Sequence, residues 1–119
     1  MNVGIIGSLE RKKEKENIKK LISSLPEGTI IVTGGEKKGF DSWIAEAAEE
    51  FSRPTMAFLP YKPPEDASPR EYLRSQQARN RKIVQNSDII YAYPSEDRTG
   101  DVEDIITLAL NLNANIEIK

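Results

Sequence analysis

The segment Thr29-Ile-Ile-Val-Thr-Gly-Gly35 is a β-branched run halted by paired glycines. Such residues favour an extended chain, and the glycines turn it sharply, so the segment reads as a strand entering a tight turn. Beyond the turn, Phe40, Trp43, Ile44, Ala47, Ala48 and Phe51 recur at helical spacing. That stripe belongs to a helix with one face on a sheet.

The same unit repeats on both sides. Upstream, Val3–Gly7 is a short apolar strand closed by glycine. Arg11–Ser24 follows as a helix, with Ile18, Leu21, Ile22 and Leu25 on one face, until Pro26 and Gly28 break it. Downstream, Thr55–Leu59 is a third strand and the prolines of 60–67 mark a loop. Ser68-Pro69-Arg70-Glu71 is a capping box with proline at the first helical position, so a third helix starts there. Asp88–Tyr93 is a fourth strand, Asp101–Leu112 a helix, and Asn115–Ile118 a short fifth strand. Strict alternation implies parallel strands joined by right-handed crossovers. Continuous apolar runs imply a sheet covered on both faces. The expectation is an α/β fold: a three-layer sandwich of about five parallel strands in the order 3-2-1-4-5, as one domain over residues 1–119.

Composition narrows the chemistry. The chain has 119 residues, 38% hydrophobic and 30% charged, which is ample for an ordinary core. Its net charge of -2 is not that of a protein held to nucleic acid through phosphates. The basic residues between Arg11 and Lys20 are interleaved with Glu14 and Glu16, a solvated helix face. No apolar run is long enough to span a membrane, and no signal peptide opens the chain. Without cysteine, a cytoplasmic location is the simplest expectation. The absence of Cys and His also removes thiol nucleophiles, histidine bases and zinc sites, and no metal or cofactor is expected.

One face of the third helix carries Tyr72, Leu73, Ile83 and Val84, yet passes through Gln76, Arg79 and Asn80. A helix lying on a sheet should be apolar there, and an inward Arg needs a partner. That partner is either a bound anion or a structural carboxylate, with Asp41 and Asp88 the candidates. Asn80 would hold a ligand or a loop backbone.

Ligands of open α/β sheets bind beyond the carboxyl ends of the strands. Here those ends carry Gly7-Ser8, then Thr33-Gly34-Gly35 with Gly39 and Asp41 close behind, then Pro94-Ser95 running on to Thr99-Gly100. Small residues of this kind let backbone N–H groups approach a phosphate, although tight turns require glycine on their own account. Two familiar motifs fail. Gly4-Ile-Ile-Gly7 lacks the dinucleotide spacing, and Phe40-Asp41 stand where a P-loop needs Lys and a hydroxyl. Asp41 would repel a phosphate but accept hydrogen bonds from ribose hydroxyls; its structural alternative is to cap the second helix. Arg79 is the best phosphate ligand, Asp101 a cap for the last helix.

These pieces resemble the SLOG superfamily of Rossmann-like proteins, which includes the LOG nucleotide phosphoribohydrolases, DprA, the molybdenum-cofactor carrier-like proteins and small YspA/YpsA-type proteins. The resemblance rests on Val3-Gly-Ile-Ile-Gly-Ser8, Ile31-Val-Thr-Gly-Gly35 with Gly39-Phe-Asp41, and Ala78-Arg-Asn-Arg-Lys-Ile-Val84 with Ser87-Asp-Ile-Ile-Tyr-Ala92. The small YspA-like members are closest in length and in the Arg79-Asn80 pair. LOG enzymes pair an Arg in this helix, at Arg79, with a Glu in a P-G-G-x-G-T-x-x-E loop. Thr99 matches that loop, but Ser95, Glu96 and Arg98 replace its glycines and Val102 occupies the Glu position. Glu103 lies one residue on, about 100° around a helix.

The resemblance implies a nucleotide-type ligand held by a sensor or carrier, with phosphate on Gly34, Gly35, Thr99 and Gly100, Arg79 as clamp and Asp41 on the sugar. An N-glycosidic hydrolase or transferase is the alternative, with Arg79, Asp41, Glu96 or Glu103 as its catalytic candidates. A DprA-like DNA-binding module comes third, since Arg79-Asn-Arg-Lys-Ile83 resembles its R-N-R-x-I segment. The apolar last helix, with Leu108, Leu110 and Leu112 beyond one face, points to a homodimer.

Overall fold

The computed structural model describes residues 1–119. In chain order the elements are β1 (Asn2–Gly7), α1 (Lys15–Ser24), β2 (Ile30–Thr33), α2 (Phe40–Glu50), β3 (Thr55–Ala57), α3 (Pro69–Gln85), β4 (Ile89–Tyr93), α4 (Asp101–Asn111) and β5 (Ile116–Ile118). They form one five-stranded sheet in the order β3-β2-β1-β4-β5, with every pair parallel. The expected α/β sandwich and strand order are therefore the observed ones.

Side chains alternate across the sheet because successive strand residues point to opposite faces. Val3, Ile5, Ile31 and Tyr93 pack under α1 and α2 with Ile18, Ile22, Phe40 and Ile44. Ile6, Val32, Ile90 and Ala92 pack under α3 and α4 with Ile83, Val84, Ile105 and Ile106. No helix is long and apolar enough to cross a membrane.

Two expectations need correction. α1 begins at Lys15, not Arg11. Arg11 instead leaves the helix to donate from Nη1 to the Pro94 carbonyl (3.0 Å) and from Nη2 to Glu14 (3.0 Å). The inward stripe of α3 also ends earlier than its periodicity implies. Tyr72 and Leu73 are 46% and 52% exposed, and the buried residues begin at Ser75. Arg79 pairs with the first residue of α4, and of the α3 residues that precede it only Ser75 is buried. This first half of α3 is started by Ser68, whose Oγ accepts from the Glu71 N–H (3.3 Å), and is tied to the preceding loop by Ser75, whose hydroxyl donates to the Tyr61 carbonyl.

Candidate ligand-binding crevice

The candidate site lies at the carboxyl end of β2, where α3 brings Arg79 over the turn that follows the strand. Its floor is the turn after β2. Gly35 and Gly39 adopt left-handed φ values of 74° and 62°, which swing the chain away and back before α2. Asp41 is the second residue of α2, behind Gly39 at the cap position, so it does not cap the helix. Its Oδ2 instead reaches back and accepts from the Glu36 N–H (3.1 Å). Burial raises the Asp41 carboxyl above the ordinary aspartate range, partly offset by that backbone hydrogen bond, Arg79 and the Thr33 hydroxyl.

Arg79 is 6% exposed. It pairs with neither Asp41 nor Asp88. Asp88 accepts from the Asn2 N–H (2.6 Å), at the opposite sheet edge. The acidic partner of Arg79 is Asp101, with Nη2 to Oδ2 at 2.6 Å. Asp101 was expected to cap α4, but Gly100 holds that position. The Asp101 carboxylate instead bridges α4 to α3, since its other oxygen accepts from Asn80 Nδ2 (2.7 Å). Arg79 Nε donates to Asn80 Oδ1 (2.8 Å), and Nη2 also donates to Gln76 Oε1 (2.9 Å). Nη1, with two N–H groups, makes no hydrogen bond.

The open nitrogen faces Gly34. A β-carbon on Gly34 would lie 2.9 Å from Arg79 Nη1 and 3.0 Å from Asp41 Oδ2. Those two atoms form no ion pair with each other. The guanidinium end and the carboxylate thus close over the Gly34 Cα, with less room between them than a β-carbon needs. Thr33, Gly34, Asp41, Arg79 and Asn80 come together here, joined by Asp101 and Gln76. The signal that could have found Asp101 was present: an aspartate following a glycine at a helix start, with two inward polar groups to satisfy.

The other expected residues sit differently. Gly7 lies against Phe40, three of whose ring carbons would be 2.4 Å from an added β-carbon, so its space is filled by packing. The Ser8 N–H donates to Tyr93 (2.9 Å), and its Oγ accepts from the Glu10 N–H (3.2 Å). Gly35 N–H donates weakly to Thr33 Oγ1 (3.4 Å).

In the loop after β4, Asp97 collects the donors. Its Oδ1 accepts from the hydroxyls of Ser95 (2.6 Å) and Thr99 (2.8 Å) and from the Thr99 N–H (3.3 Å). These bonds, Ser95 first, hold the Asp97 carboxyl below its ordinary range. Glu103 is forked by Arg98 at 2.6 and 3.1 Å, and Val102 is buried in the core. Two open hollows lie elsewhere on the surface, one beside α1 lined by Lys20 and Tyr93, the other between α3 and α4 lined by Arg74 and Asp104. Of the central residues only Asn80 lines either one.

The state of Asp41 has a consequence for stability. A carboxyl whose folded pKa is raised penalises the fold once it ionises. The penalty is absent below the ordinary value of 3.8, grows as pH rises through the raised folded value, and is complete above it. Asp41→Asn should therefore raise the melting temperature by a few degrees at neutral pH, with a gain that shrinks toward zero in acid. Thermal melts across pH check this, and a gain that grew on acidification would contradict it.

No family model matches the sequence, and no curated protein matches it. Solved structures do. The molybdenum cofactor binding protein from the phototrophic bacterium Rippkaea orientalis superposes with a TM-score of 0.71 at 20% identity, covering 98% of this chain and 74% of that one. DNA processing protein A (DprA) from Streptococcus pneumoniae gives 0.76 at 19% identity, covering 98% of this chain and 49% of that one. The molybdenum cofactor carrier protein from Chlamydomonas reinhardtii gives 0.62 at 15% identity, covering 98% and 75%. The chain thus shares the Rossmann-like fold of these three proteins, and it spans about half of DprA.

Proposed function

We propose that this chain is a small-molecule binding protein, a sensor or carrier, whose crevice takes a nucleotide-derived ligand. The observation that carries the reading is Arg79: a nearly buried guanidinium with Nη1 uncommitted, facing a glycine and a half-buried carboxylate at the ligand edge of an α/β sheet. Two fold neighbours are a cofactor binding protein and a cofactor carrier by name, which accords with a carrier role. The hydrolase alternative has less support. At the position of the LOG glutamate stands Val102, in the core, and Glu103 is held at the surface by Arg98. Exposed Leu110 and Leu112 support pairing with a second copy, which sedimentation would reveal.

Gly34→Ala tests the site, with a thermal melt run beside the binding assay to report any loss of fold. Residue 34 has no left-handed φ, so alanine is tolerated by the backbone, while its β-carbon would crowd Arg79 Nη1 at 2.9 Å and Asp41 Oδ2 at 3.0 Å. Calorimetry against the common ribonucleosides, their 5′-monophosphates and ADP-ribose should show binding by the wild type. Gly34→Ala should bind at least about tenfold more weakly, the scale of one lost hydrogen bond to a charged group. Silence from the wild type across the panel, or equal binding by the variant, defeats the reading.

A further inference from the structure

Tyr93 ends β4 and is 4% exposed, yet its hydroxyl makes no hydrogen bond to the protein. A buried tyrosine ordinarily finds a partner for that group. The ring itself is held. Its centroid lies 5.1 Å from that of Phe40, and the Arg11 guanidinium stands 5.5 Å over it, fixed in turn by the Pro94 carbonyl and Glu14. Tyr93 lines the hollow of about 490 Å³ beside α1, together with Arg11, Glu14, Lys20 and Lys119. Burial, then the charge of Glu14, raises the hydroxyl above the ordinary tyrosine range, with Glu117 of β5 adding to the rise. The group therefore sits between the two walls of the hollow and remains a donor at neutral pH.

The charges around it do not cancel. Arg11 pairs with Glu14 at 3.0 Å, and Lys119 with Glu117 at 3.1 Å. On the flank of α1 toward α2, Lys15 and Lys19 pair with Glu46 and Glu50. Lys20 lies one residue further, about 100° around the helix, and lines the hollow with no carboxylate beside it. What remains open is thus one unpaired ammonium and one unbonded hydroxyl, while both carboxylates are already engaged. An oxyanion accepts from both donors and balances the charge. Apart from the site at the end of β2, we propose that this hollow is a second binding site, for a small molecule ending in a phosphate or carboxylate group received by Lys20 and the Tyr93 hydroxyl.

Amide spectra of the intact wild-type protein test this, titrated with inorganic phosphate and separately with succinate while sodium chloride holds the ionic strength constant. Saturable shifts with at least one probe should gather at Lys20, Leu21, Ser24, Tyr93 and Lys119. The tighter probe tells which head group the ligand carries. Tyr93→Phe keeps the packed ring and removes only the hydroxyl, and Lys20→Gln alters an exposed side chain, so both should melt like the wild type. Each should bind the tighter probe at least about threefold more weakly, the scale of one hydrogen bond. Lys12→Gln, also exposed but outside the hollow, should bind as the wild type does. Should Tyr93→Phe fail to fold, Lys20→Gln decides alone. No saturable shift with either probe, undiminished binding by either folded variant, or an equal loss in Lys12→Gln overturns the inference and leaves the reading of the Arg79 site standing.

Discussion

Arg79→Ala should lower stability by about 2–3 kcal/mol. Removing one member of a buried ion pair typically costs about 3–5 kcal/mol, because the abandoned charge stays buried. Asp101 is 44% exposed, so water takes over part of the role of the guanidinium and the cost falls below that range. Asn80 does not escape as easily. It is 3% exposed and loses the donor to its Oδ1. For a domain of this size the loss lowers the melting point by roughly 10 °C. The pair Arg79→Met with Asp101→Leu should cost less than Arg79→Ala alone, since no carboxylate is then left unpaired. If the alanine variant melts like the wild type, the α3–α4 bridge is not holding these helices together.

Gly7→Ala should cost about 3 kcal/mol, at the upper end of ordinary overpacking. The new β-carbon would meet Phe40 Cγ, Cδ2 and Cε2 at 2.4 Å. Phe40 is 1% exposed and lies against Trp43 and Tyr93 with ring centroids 5.7 and 5.1 Å away, so the ring cannot retreat without moving both neighbours. Gly7 has no left-handed φ, so the cost comes from the contact and not from backbone strain. A smaller residue at position 40 distinguishes these causes. Gly7→Ala with Phe40→Leu should denature at higher urea than Gly7→Ala alone. A double variant no better than the single would place the strain elsewhere.

Local pattern was enough for the architecture. Strand alternation, helical stripes and the Ser68 cap are short-range properties, and crossover handedness turns them into a parallel sheet with helices on both faces, here in the order 3-2-1-4-5. The inward turn of Arg79 and Asn80 was visible in the same way. Partnership was not. Arg79 and Asp101 are 22 positions apart, and which carboxylate meets the guanidinium depends on how α4 lies against α3. The stripe at Tyr72 and Leu73 has the same period as the buried turns below it, yet both side chains lie in solvent. A glycine that lies under a guanidinium and one that lies under a phenyl ring look alike in one dimension. Periodicity records which way a side chain points, whereas the assembled layers settle what stands opposite it.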